Sequence, residues 1–160
     1  MRLATYRPTI VDAARLGAIV DDLIVDVARL GAASGVALPS DMLGFIDLGP
    51  QALTCLRTLL AAGPSAWPPA IAMPLVNVRL LAPIPRPRKN IFGIGLNYVE
   101  HVAESSRTLD TSKELPKQPI IFTKPPTSVI GPGDAVHHDA RLTQQLDWEV
   151  ELAAIIGTTA

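Results

Sequence analysis

Residues 147–152, Asp-Trp-Glu-Val-Glu-Leu, restrict the fold more than any other part of the chain. In an extended strand, successive side chains point to opposite faces. Asp147, Glu149 and Glu151 then share one face, and Trp148, Val150 and Leu152 share the other. The second is an ordinary core face. On the first, neighbouring carboxylates stand ~6.6 Å apart, and at an effective dielectric of ~20 two unit charges at that spacing repel by roughly 2–3 kcal/mol. Beyond Glu151 both faces turn apolar, with Ala153 and Ile155 on one and Ala154 and Ile156 on the other. The alternation therefore predicts a last strand over 144–156 that is covered on both sides. Charges at the end of a covered strand are paired or bound to metal, and carboxylate oxygens select hard ions such as Mg²⁺, Mn²⁺ or Ca²⁺. An arbitrary Glu-x-Glu is more often a solvated strand face; the apolar flanks favour an ion held in an enclosed cleft. An apolar strand also needs neighbours on its edges. The sequence stops just after it, at Gly157-Thr158-Thr159-Ala160, so the expectation is the front part of a longer fold, or one completed by strands of another copy.

With 160 residues the chain is long enough for one domain, or for a small domain and part of a second. Apolar residues make up 48%, which supports a packed core and argues against global disorder. The net charge of −1 and the lack of a basic stripe exclude nucleic acid as an expected partner. No apolar run reaches the ~18 residues of a membrane span, and Arg2, Arg7, Asp12 and Arg15 leave no room for an apolar signal core. The lone Cys55, among Leu53, Leu56, Leu59 and Leu60, reads as a buried structural thiol in a reducing compartment. A soluble cytoplasmic protein is expected.

Strands are predicted at 2–6, 17–20 and 23–27, the last two joined by a turn at Asp21-Asp22. A short helix follows at 28–33, and the start signals Pro39 and Ser40 leave 39–49 ambiguous. Residues 50–62 form a clearer helix, opened by Pro50 and stopped by Gly63-Pro64. Four prolines between 64 and 74 break regular structure, and Val76, Val78 and Leu80 alternate as in a strand. Pro83, Pro85 and Pro87 make a stiff connector. The boundary divides an N-terminal module, 1–78, from a second domain, 79–160. In the second domain a strand at 90–94 leads to a helix at 98–106 that Asn97 can cap. A polar loop covers 107–119, a short strand 120–123 and a turn 131–134. The fold class is mainly β with short helices (α+β).

Residues 93–104 read Gly-Ile-Gly-Leu-Asn-Tyr-Val-Glu-His-Val-Ala-Glu. Tyr98 stands where a dinucleotide fingerprint needs its third glycine, and His101 lacks a histidine one turn away for a zinc motif. What remains is His101 and Glu104, three apart on a helix, where the carboxylate can fix the imidazole tautomer and raise its basicity for general-base work. A solvated helical pair is the blander alternative. Lys124, between a strand and two prolines, can meet an anionic substrate or sit on the surface. Adjacent His137 and His138 make poor joint ligands and read as a solvated loop pair.

The order of these pieces is more specific than any one of them. Gly-Leu-Asn-Tyr-x-x-His-x-x-Glu, Pro-x-Ile-Phe-x-Lys-Pro at 119–125, Gly-Pro-Gly-Asp at 131–134 and Leu-Asp-Trp-Glu-Val-Glu-Leu-Ala together closely resemble the fumarylacetoacetate hydrolase family over residues 80–157. The N-terminal strands also look like the small N-terminal module of its bacterial members. The resemblance implies a mixed β-sandwich roll, a homodimer and a divalent cation, Mg²⁺ first, with Mn²⁺ or Ca²⁺ as alternatives. It implies a small-molecule 2-oxo or 1,3-dioxo acid substrate, and hydrolase or lyase chemistry: C–C bond hydrolysis, decarboxylation, isomerisation or hydration. Carried over by position, Glu149 and Glu151 match two metal ligands. His101 and Glu104 match a catalytic dyad on a lid helix that orders over substrate, and Lys124 matches a lysine near the site. The family's third metal ligand, an Asp, and a substrate-binding Lys and Thr-Gly-Thr-Pro segment fall on later strands than this sequence reaches. Some relatives carry, at the position of Leu96, an Arg that can bind a substrate carboxylate; Leu96 weakens the inference of an acylpyruvate or oxaloacetate substrate. Two other classes stay open: a catalytically inactive fragment that acts as a binding or structural module, and a metal-free ligand-binding module.

Overall fold

In a computed structural model, residues 1–108 and 114–157 are described, 106–108 by their backbone alone. They divide into two compact units: Met1–Pro85 with the chain from Ile130 onward, and Arg86–Val129. Strands and short helices alternate through both, as expected for the α+β class.

The first unit is built on an antiparallel sheet. β1 (Arg2–Arg7), β2 (Arg15–Val20) and β3 (Leu23–Asp26) form a meander. Val20 pairs with Leu23, so Asp21-Asp22 is the two-residue loop, and Asp21 takes a φ of 50° that Asp tolerates better than most residues. β4 (Ala72–Pro74) adds to the β3 edge and β5 (Arg79–Leu80) to the β1 edge, giving the order β4-β3-β2-β1-β5. Gly17 is required by packing. A Cβ there would collide with the Ile24 side chain and stand 3.0 Å from the Tyr6 ring.

Three helices pack against this sheet. α1 (Val27–Ala33) starts at Asp26, whose carboxylate accepts the Arg29 amide at 3.0 Å. α2 (Met42–Asp47) resolves the ambiguous stretch, capped by Asp41 on the Gly44 amide at 2.9 Å. α3 (Pro50–Ala61) opens on proline and ends before Gly63, at φ 79°. Leu16, Val25, Val27, Leu30, Phe45 and Leu56 form the centre of the core, with Leu53, Leu59 and Leu60 partly buried against it. Cys55 is only half-buried on α3.

Two sequence expectations fail in this unit. Val76–Leu80 is not one strand: a 3₁₀ turn at Leu75–Asn77 precedes β5, and Val76 is 90% exposed. The reason is topological. β4 and β5 lie on opposite edges of the sheet, so the chain leaves one edge before it reaches the other. The second failure is the last strand. Residues 144–156 carry no ladder, and Trp148, Val150 and Leu152 are 80%, 88% and 92% exposed rather than covered. A strand exists by virtue of its partner's hydrogen bonds, and no described strand of this chain pairs with the segment. The turn at 131–134 does form: the Asp134 carboxylate accepts the Gly131 amide at 2.8 Å and the Arg79 guanidinium at 2.6 Å, and Gly133 takes φ 77°.

The second unit holds β6 (Ile91–Gly95) paired antiparallel with β7 (Ile120–Lys124), and α4 (Val99–Thr108) between them in sequence. The helix runs two residues further than expected. The expected polar loop at 107–119 falls partly outside the described residues.

Candidate functional site

α4 is amphipathic in the simplest sense. Val102 and Ser105 are buried, three apart on one face. His101 lies at the flank of that face and is half-buried; Glu104, one turn on, is exposed. Successive helical residues rotate by about 100°, so His101 and Glu104 project about 60° apart on the same side.

At the exit of β6 the chain turns at Leu96, which holds φ 52°. The left-handed conformation costs an L-residue roughly 1–2 kcal/mol. The turn borders an open hollow of about 250 Å³ lined by Ile94, Leu96, Asn97, Leu115, Lys117 and Pro119, among others. Its wall is mainly apolar, with one cation and one amide among these six.

Lys124 ends β7, opposite Ile91, and is exposed. Its Nζ stands 5.7 Å from the centroid of the Phe122 ring. Phe122 is in turn paired with Gly93. A Cβ at Gly93 would collide with Cζ of that ring and come within 2.7 Å of both its Cε atoms, so the ring lies flat over the glycine. Sequence reasoning assigned Lys124 but gave Phe122 no part. The available signal was the Phe-x-Lys spacing, which puts both side chains on one face of a strand.

Glu149 and Glu151 belong to the other compact unit, on the exposed stretch without a ladder. The enclosed carboxylate face expected from alternation is not formed there. Two carboxylates suit a hard dication by donor chemistry. Among the described residues, no group of three or more His, Cys, Asp and Glu side chains gathers as a metal set. The pair therefore fits as two ligands of a set and not as a whole one. His137 and His138 are exposed, and His138 Nε2 lies 2.8 Å from the Thr143 carbonyl oxygen, in keeping with a solvated loop. Among the described residues, no helix is long and apolar enough to cross a membrane.

Comparison with known proteins covers both units. Residues 90–160 match the model of the fumarylacetoacetate (FAA) hydrolase C-terminal domain. Oxaloacetate tautomerase YisK of Bacillus subtilis is 46% identical over 83 residues, which are 52% of this chain and 26% of that protein. The mitochondrial oxaloacetate tautomerase fahd2 of Xenopus laevis is 33% identical over 159 residues, 98% of this chain and 44% of the relative. In structure, the maleylpyruvate hydrolase of Sphingobium sp. SYK-6, solved with manganese(II) and pyruvate, superposes with a TM-score of 0.51 at 28% identity. That match covers 85% of this chain and 41% of the hydrolase. The chain thus spans less than half the length of each of these proteins. The family match over 90–160, the agreement with fahd2 over nearly the whole chain and the shared fold lead to one conclusion: residues 90–160 are a domain of the fumarylacetoacetate hydrolase family, and the chain as a whole is similar to members of that family.

Proposed function

We propose that the full protein is a metal-dependent enzyme acting on a small 2-oxo or 1,3-dioxo acid. The observation that carries this reading is the presence of His101, Glu104, Lys124, Glu149 and Glu151, in that order, inside the single segment that matches the family. Residues 1–78 serve as an N-terminal module and 79–160 as part of the catalytic domain, in a cytoplasmic homodimer.

Glu149 and Glu151 would hold the cation, Mg²⁺ or Mn²⁺, with further ligands from outside the described residues. When bound, such an ion supplies Lewis-acid polarisation of a substrate oxygen. The chain's own residues do the rest. His101 takes or delivers a proton at an imidazole nitrogen, and Glu104 orients the ring and favours its protonated form. Lys124 receives an anionic group of the substrate through its ammonium. Closure of α4 and the segment after it would exclude water from the reacting atoms.

Keto–enol isomerisation and C–C hydrolysis both need a base beside a polarised oxo group. Relatives named as oxaloacetate tautomerases support the first, and the maleylpyruvate hydrolase supports the second. The deciding experiment is a screen of the full-length protein against oxaloacetate, acylpyruvates and unsaturated 2-oxo diacids, with and without Mg²⁺ or Mn²⁺. Metal-stimulated turnover of any of them supports the proposal, and no turnover with any metal refutes it. One observation favours a second reading, a non-catalytic binding or structural module: Glu149 and Glu151 stand exposed on a stretch with no paired strand. That reading expects no turnover and no thermal shift with either ion.

A further inference from the structure

A lysine that receives an anion has to present its charge in one place. Its ammonium sits on a flexible four-carbon stem, so something else must hold it. The group beside the Lys124 ammonium is the Phe122 ring. We propose that Phe122 is a positioning residue for Lys124, and that Gly93 lacks a side chain so that the ring can take that position. The proposal rests on the assignment of Lys124 to substrate binding.

The geometry comes from the β6–β7 ladder. Residues 122 and 124 share a face of β7, and the register sets Gly93 opposite Phe122 and Ile91 opposite Lys124. The 5.7 Å from Nζ to the ring centroid lies within the ~6 Å over which an ammonium is attracted by an aromatic face. A Cβ at position 93 would collide with the ring, which would have to move. Three residues on two strands thus act as a stack: backbone of Gly93, ring of Phe122, ammonium of Lys124. The ring competes only weakly with a bound anion, because it offers the cation a quadrupole and no counter-charge.

The test uses the full-length protein with Phe122→Leu, Phe122→Tyr, Gly93→Ala and Lys124→Met. Two readouts are followed: KM and kcat for the substrate found in the screen, and the proton shift of the Lys124 ε-methylene, which a ring face moves upfield. Phe122→Leu is expected to raise KM about two- to fivefold with kcat and Mn²⁺ affinity kept, and to return the ε-methylene to the shift of a free lysine. Phe122→Tyr, which keeps the face, restores both. Gly93→Ala loses the upfield shift as Phe122→Leu does. An unchanged KM in Phe122→Leu overturns the proposal, as does a Phe122→Tyr protein no better than Phe122→Leu. Should a variant fail to fold, an absent nuclear Overhauser contact between the Lys124 ε-methylene and the Phe122 ring in the unaltered protein overturns it as well. Lys124→Met separates the two claims: an unchanged KM there removes Lys124 from substrate binding, while the shift of Phe122→Leu still reports on the stack.

Discussion

Asp26 holds the N-terminal unit together, and its replacement should be among the costliest single changes there. The side chain is 95% buried where β3 passes into α1. One oxygen caps α1 through the Arg29 amide at 3.0 Å. The other accepts from the Arg15 guanidinium at 3.1 Å, lies 3.7 Å from Arg29 Nε, and takes a long bond of 3.4 Å from the Tyr6 hydroxyl. Asp26→Ala removes a helix cap, costing about 1 kcal/mol. It also strands the fully buried Tyr6 hydroxyl and the Arg15 head, at about 1–3 kcal/mol. Because the Arg15 side chain keeps 26% exposure, the total should be about 2–4 kcal/mol, reaching only the lower part of the range for breaking a fully buried ion pair. Asp26→Asn keeps the cap oxygen and should cost about half as much. Urea denaturation of the three proteins measures both. Equal losses in the two variants, or a loss under about 1 kcal/mol in Asp26→Ala, would refute the assignment.

Tyr6 gives the same cluster a pH signature. Burial first, and then the Asp26 charge, push its phenol up from 10.0 to about 12. The neutral phenol is the form the fold prefers. Its contribution is therefore complete below pH 10 and is lost as pH rises from about 10 to about 12. That shift corresponds to about 2–3 kcal/mol. Ultraviolet titration of phenolate, with Tyr6→Phe as the blank, should show a midpoint near 12. In Asp26→Asn the midpoint should move down but stay above 10, because burial remains. A Tyr6 that titrates at 10 in the folded protein contradicts this.

Further outcomes follow from other sites. Gly93→Ala should destabilise the β6–β7 strand pair by about 1–3 kcal/mol, the usual cost of overpacking, as read by hydrogen exchange of β6 and β7 amides. Arg79→Gln should let the Asp134 carboxyl, held below the usual range by the Gly131 amide and by Arg79, rise partway toward an ordinary value in an NMR titration. The Gly131 contribution should persist. His101→Ala should lower kcat of the full-length enzyme by about 10²–10⁴ and leave Mn²⁺ affinity intact; an unchanged kcat removes His101 from the chemistry.

Elements whose signals are local are legible in the sequence itself. Asp21-Asp22 between two apolar runs marks the hairpin, Pro50 and Gly63 bracket α3, and Gly131-Pro132-Gly133-Asp134 marks a turn. The His101 and Glu104 spacing is local in the same sense, since one helix sets it. What escaped depends on partners distant in sequence. β4 and β5 are three and two residues long and exist only as edges of β3 and β1. Asp26 reads as the polar end of a strand, because Tyr6 and Arg15 reach it from two other strands. The Phe122 stack needs the β6–β7 register. Residues 147–152 show the converse. Alternation states which side chains would share a face if a ladder formed, and it cannot supply the ladder.

The central claim is that Glu149 and Glu151 bind a dication, and calorimetric titration of the full-length protein with Mn²⁺ tests it most directly. Saturable binding in the unaltered protein, weakened at least tenfold, or by about 1.4 kcal/mol, in both Glu149→Ala and Glu151→Ala, is the expected result. Equal affinity in all three proteins, or no binding in any, would contradict it.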